Sequence, residues 1–188
     1  MVDGSTAIAA HISVRKRLVF QKIGFGVLFS ALFTVTVIDR LTKIIAQGIL
    51  KGIGPDYYLG PHYYFGMSVV FVYQENAGAF LGLGSNLSSS ARFWIFVVGI
   101  SLLLLYFCYK LFEANTLLEL SGWVFIISGG LGNLIDRLLY DGYVVDFIRV
   151  SIGGFRTGIF NFADVSVITG FVLLLGSLFK ERTVLLNN

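Results

Sequence analysis

Polar and apolar positions alternate in this chain on the scale of whole segments rather than single residues. Four long apolar stretches stand out, at about 23–45, 91–112, 120–139 and 159–179. Each approaches the length of about 20 residues that carries an α-helix across a bilayer. The first is apolar from Ile23 to Ile38 and continues amphipathically to Ile45. Helices are the expected form, because an open sheet would leave backbone groups unpaired in hydrocarbon. This first stretch is long, lacks a small-x-small exit site before Asp39 and precedes three more apolar runs. It therefore reads as a retained span, not as a cleaved signal peptide.

Between the spans the pattern changes. Residues 47–90 hold both prolines, Pro55 and Pro61, and the stretch "YYFGMSVVFVYQENAGAFLGLG". Its β-branched and aromatic content, bounded by glycines, predicts strands and turns. A second outer loop, 140–158, carries Gly153-Gly154 as a tight turn, and the inner loop "EANTLLE" is short and polar. Residues 1–14 read as a loose tail. The expected fold is one domain: an all-α integral membrane protein with four transmembrane helices and a small extracytoplasmic β-sheet on the membrane surface.

Composition agrees with a lipid solvent. Only 13% of the 188 residues are charged and 56% are hydrophobic, with 18 phenylalanines, where a soluble domain carries roughly 25% charged residues. The formal charge of +3 comes without a Lys/Arg run beside polar aromatic segments, so nucleic acid is not an expected partner. Cys108 is the single cysteine, and His11 and His62 stand apart. No internal disulfide, zinc set or cofactor is expected. Orientation follows from Arg15, Lys16, Arg17 and Lys22 before the first span and Lys180 and Arg182 after the last. Lysines and arginines divide evenly between the two sides, so these terminal clusters decide. They place both termini in the cytoplasm.

Against this background two lone carboxylates carry the chemistry. Asp146 in "YVVDFI" and Asp164 in "IFNFADVSVITG" each border an apolar segment, where an unrelieved acid is expensive and its default reading is functional. Two such acids brought together cannot both ionise comfortably, so one keeps a proton, as in an aspartic protease. Asp164 lies within the first turn of a helix that Asn161 is placed to cap. Asp39 and Lys43, four apart, share a helix face in the favourable order for an ion pair. Asn133, Asp136 and Arg137 make the outer end of the third span polar, one turn beyond Gly129, Gly130 and Gly132. Small residues there let helices approach closely. Asn76 lies in a glycine-rich loop.

Five blocks in order, "DRLTK" (39–43), "NAGAF" (76–80), "GGLGNLIDR" (129–137), "VVDF" (144–147) and "FNFAD" (160–164), resemble those of the bacterial lipoprotein signal peptidase (signal peptidase II) family. The resemblance runs from the first span to the last. It implies an aspartic endopeptidase of the bacterial cytoplasmic (inner) membrane, with its active site near the outer face. The substrates it implies are diacylglyceryl-modified prolipoproteins, cut just before the modified cysteine, with membrane lipids as surroundings and globomycin-type inhibitors as ligands. By matching motif, Asp146 and Asp164 are the implied catalytic pair. Asp39, Lys43, Asn76, Gly78, Asn133, Asp136, Arg137, Asn161 and Ala163 are implied to bind substrate or support the site. The main alternative is a proton-coupled small membrane transporter, which would carry polar residues through the depth of its spans. A purely structural adaptor would leave the two aspartates without a role.

Overall fold

The computed structural model describes residues 25–52, 59–64 and 66–186. The N-terminal tail and the basic residues at 15–22 lie outside the described residues. The chain forms helix α1 (Phe25–Leu50), strands β1 (Leu59–Tyr64) and β2 (Met67–Asn76), helix α2 (Ser89–Glu113) and helix α3 (Leu117–Leu139). Strands β3 (Val144–Ile152) and β4 (Phe155–Arg156) and helix α4 (Phe162–Leu186) follow. Helices α2, α3 and α4 contain stretches long and apolar enough to cross a membrane, Ser89–Glu113, Leu117–Leu139 and Phe162–Lys180.

Helices α2 and α3 begin where the sequence supplies a cap. Ser88 accepts from the Ala91 amide at α2, and Thr116 accepts from the Glu119 amide at α3. The Glu119 carboxylate reaches back to the Asn115 amide at 2.8 Å. Both devices satisfy backbone donors that the first turn leaves open. Outward-facing side chains such as Phe29, Phe33, Leu102, Leu105, Phe171 and Leu178 are exposed, as expected of surfaces that meet lipid. Helix α3 is the hub and packs against α4, α1 and α2. Leu28, Leu111, Ala114, Leu120, Val124 and Ile127 form the apolar core, and Cys108 packs at its edge.

The glycines of α3 make this hub possible, each toward a different neighbour. A Cβ on Gly129 would overlap the carbonyl oxygen of Ala163 on α4. One on Gly130 would come within 2.5 Å of Leu104 on α2, and one on Gly132 within 2.5 Å of the Asp39 carboxylate on α1. Gly170 meets the Gly122 carbonyl in the same manner. Backbone-to-backbone approach of this kind is how small residues hold membrane helices together. Gly129→Ala is expected to destabilise the fold by about 1–3 kcal/mol through overpacking. Gly48→Ala, with open space around it, serves as the control. Thermal unfolding of both variants in detergent, with equal midpoints, would remove this account of the α3–α4 contact.

The sheet is antiparallel, in the order β1-β2-β3-β4. The loop at 47–90 supplies β1 and β2, as its composition predicts. The loop at 140–158 supplies the other half, which was not anticipated: it forms β3, the Gly153-Gly154 turn and β4. Its strand signal was obscured because β3 does not alternate cleanly. The amides of Phe147 and Ile148 both donate to the Phe160 carbonyl, at 3.1 and 2.9 Å. Two consecutive residues facing one acceptor is a β-bulge, which shifts the alternation by one place. Phe147 and Ile148 consequently both pack toward Ala46 and Leu50 of α1. A turn through Asp141 and Gly142 (φ +91°) joins α3 to β3, and Gly142 takes that positive φ without strain.

Candidate active site

Two elements deliver the two lone carboxylates and their shared neighbour to one place. Asp146 comes from β3, and Asn161 and Asp164 come from the start of α4. Asn161 is wholly buried and ties the pair together. Its side-chain amide donates to Asp146 Oδ1 at 2.7 Å, and its backbone amide donates to Asp164 Oδ2 at 3.1 Å. The Asp164 amide returns a bond to Asn161 Oδ1 at 2.9 Å. This is the reciprocal pattern of a capping box, so the device that starts α4 also positions an acid. The capping role expected of Asn161 and its place beside the aspartates are one arrangement.

Further amides complete the cradle. Asn133 on α3 donates to Asp164 Oδ1 at 2.9 Å, and Asn76 at the end of β2 donates to Asp146 Oδ2 at 3.0 Å. Asn76 also accepts from the Gly78 amide at 2.9 Å, which folds the loop beneath it. Arg137 Nη2 donates to the Gly78 carbonyl at 2.8 Å and Nη1 to the Asn133 carbonyl at 3.2 Å. Its guanidinium lies 5.5 Å from the centre of the Phe96 ring, and its Nε is buried without a partner among the described residues. Phe96 belongs to a π-helical stretch of α2, Phe93–Gly99, a local widening common at functional sites.

Beneath the carboxylates lies a buried ionic layer. Lys43 Nζ sits 2.8 Å from Asp39 Oδ2, 3.0 Å from Asp136 Oδ2 and 3.0 Å from Asn133 Oδ1. The Asp39–Lys43 pair expected from sequence is thus present, joined by Asp136. Asp39 also accepts from the Ala163 amide at 2.8 Å, and Asp136 from the Val145 amide at 3.0 Å. Through these two bonds the ionic layer grips the backbone next to each lone carboxylate. Arg40 pairs with Asp136 and donates to the Tyr140 hydroxyl, which reaches Gln47. Arg40 was not among the expected site residues, although it stands beside Asp39 in the "DRLTK" block. Phe96 carried no signal at all.

Asp146 is 3% exposed. Burial pushes its carboxyl from the usual 3.8 up to about 7, and the charge of neighbouring Asp164 adds to the rise. The amides of Asn76 and Asn161, with Lys43, pull the other way without cancelling it. An acid that exchanges its proton near neutrality is suited to general acid–base work.

Both aspartates line a cavity of about 510 Å³ that runs down between the helices past Ile100, Leu104, Phe107, Ile126 and Val165. Asp146 also lines a second, polar pocket of about 390 Å³ on the sheet side, with Gln74, Arg149, Arg156 and Thr157. A peptide bond lying over Asp146 would have an apolar cleft on one hand and a polar pocket on the other.

Known proteins share this arrangement of segments. The chain is 33% identical over 149 residues to a lipoprotein signal peptidase of Borrelia hermsii, covering 77% of this chain and 84% of that one. It is 33% identical over 161 residues to the lipoprotein signal peptidase of Staphylococcus aureus, covering 86% and 91%. A bacterial membrane enzyme solved by the in meso method at 2.3 Å superimposes with a TM-score of 0.66 at 28% identity, covering 84% of this chain and 90% of that one. The family model for signal peptidase (SPase) II matches residues 31–180, a range holding all five sequence blocks and every residue of the cradle described above. With the family model covering residues 31–180 and two relatives matched over 77% and 86% of the chain, this multi-pass membrane protein belongs to the signal peptidase II family.

Proposed function

We propose that the protein is an aspartyl endopeptidase that removes signal peptides from prolipoproteins, cutting before the diacylglyceryl-modified cysteine. The observation that carries this reading is Asn161 holding both Asp146 and Asp164 at the mouth of an apolar cleft. In the ground state Asp146 holds the shared proton and Asp164 is the base. Asp164 takes a proton from water as the water oxygen attacks the scissile carbonyl carbon. Asp146 donates its proton to the carbonyl oxygen, giving a neutral gem-diol. Collapse of that species breaks the C–N bond: one gem-diol hydroxyl returns its proton to Asp146 as the new carbonyl forms, and the proton on Asp164 passes to the departing cysteine nitrogen. Arg137, through its unpartnered Nε–H, donates to a substrate carbonyl, and Asn76 and Asn133 keep the carboxylates aimed.

The rest of the site fits this substrate. We read α1 as a fourth crossing alongside α2, α3 and α4, with both termini cytoplasmic and the sheet on the outer surface of the cytoplasmic membrane. The signal helix and acyl chains enter the apolar cleft sideways from lipid, where each buried CH₂ contributes about 0.8 kcal/mol. Asp136, which accepts from Lys43, Arg40 and the Val145 amide, is a positioning residue rather than part of the pair. A proton-coupled transporter would need a polar path across the bundle. Among the described residues, the core beyond Ser128 is instead Val124, Ile127, Leu120 and Leu111, and the buried Ser177 hydroxyl is tied to Thr116 at the far end.

The direct test is purified protein in lipid vesicles with a diacylated prolipoprotein, read as a size shift on a gel. Absence of cleavage at the cysteine would refute the assignment. The pH profile refines it. With Asp146 required in its protonated form, kcat/KM should fall tenfold per unit as pH rises past about 7. Asn76→Ala removes a donor that favours the carboxylate, so the descending limb should move to higher pH. A limb that stays in place would mean that Asp146 does not set it.

A further inference from the structure

The polar pocket beside Asp146 has an origin in the β3 bulge. With Phe147 and Ile148 both turned toward α1, Asp146 and Arg149 come to lie on the same, opposite face of the strand. Gln74 pairs with Asp146 across the ladder, and Ser151 pairs with Arg156. Cross-strand partners share a face. Gln74, Asp146, Arg149 and Arg156 therefore form one polar track along the sheet, and all four line the same pocket. Among the described residues, neither arginine takes part in a salt bridge. The apolar cleft leaves Asp146 in the other direction, toward the helices.

We propose that this track is a binding site for the segment of substrate that follows the scissile bond, and that Arg149 and Arg156 select acidic side chains within that segment. The inference rests on the peptidase reading and extends it to specificity. A signal helix is apolar and occupies the cleft. The chain beyond the cut is bound for water and leaves on the polar side. Three residues of strand span about 10 Å at roughly 3.3 Å each, so Arg149 lies opposite about the second to fourth residues of the mature protein. Unpaired guanidinium groups at such a rim attract carboxylates, and the attraction weakens with salt.

The test uses the full-length protein in neutral-lipid vesicles and three diacylated substrates that differ only at the second and third mature residues: Asp-Asp, Ser-Ser or Lys-Lys. Wild type should show a kcat/KM about five- to tenfold higher for Asp-Asp than for Lys-Lys, shrinking at high salt. The double variant Arg149→Glu with Arg156→Glu should invert the order and cut Lys-Lys faster than wild type does. A misfolded enzyme cannot produce that gain. Arg149→Gln with Arg156→Gln should flatten the preference. Equal rates for the three substrates in wild type, or an unchanged order in the charge-reversed variant, overturn the proposal while leaving the peptidase intact. Cleavage of none of them overturns both. If the arginines serve lipid phosphate instead, the variants change all three rates alike, and only in vesicles with anionic lipid; that result also counts against the proposal.

Discussion

Asp164→Asn in the purified protein is expected to lower turnover of a diacylated prolipoprotein by about 10²–10⁴-fold, the usual worth of a positioned base. Asp146→Asn should lower it comparably, and the double variant little further, because acid and base act in one step. The structure says why the fold should survive. An amide at 164 can still accept from Asn133 through its oxygen, losing only the bond from the Asn161 backbone amide. That loss weakens a helix cap by about 1 kcal/mol. The change at 146 has a second signature. Between pH 3.8 and about 7 the unfolded chain has released this proton while the folded protein keeps it. The stability associated with the protonated acid is therefore complete below 3.8 and is lost as pH rises through about 7, on the order of a few kcal/mol. Asp146→Asn should flatten that decline while lowering turnover to the same extent as Asp164→Asn. An active Asp146→Asn enzyme, or one that simply fails to fold, would contradict the role given to this acid.

Lys43→Met should produce the largest loss of stability of any single change at the site. The Lys43 ammonium is fully buried and lies within 3.0 Å of Asp39, Asp136 and Asn133. Its removal leaves Asp39 and Asp136, 1% and 0% exposed, with Arg40 as the one remaining ion-pair partner of either among the described residues. Breaking a buried pair from one side costs about 3–5 kcal/mol. For a chain of this size that corresponds to a fall in Tm of about 10 °C. Adding Asp39→Asn to Lys43→Met should recover part of the loss, since it removes the acid left without a cation. Activity should fall as well, because Asn133 loses the bond that orients it toward Asp164. A Tm within 2 °C of wild type would show that the ionic layer does not hold the bundle together.

Much of this arrangement was legible in the residues themselves. Lone acids beside apolar runs, an i, i+4 Asp39–Lys43 pair and glycines grouped on one helix each correspond to a contact that now has a distance. Asn161 was recognised as a cap because capping is local and has a local signature. The strands of the 140–158 loop were not legible, since the β3 bulge breaks the alternation by which a strand is recognised. The link of Lys43 to Asp136 was equally hidden: it joins residues far apart in the chain, and spacing reports only neighbours on one element. Phe96 was invisible for a third reason. A phenylalanine in an apolar helix looks like packing until a guanidinium is found over its face.

One acid rides on a strand of the sheet and the other on the first turn of a helix of the bundle, with a single asparagine clasping both. The reactive geometry is therefore a property of how the sheet sits on the bundle. A tilt of the sheet would part the carboxylates long before any helix unwound.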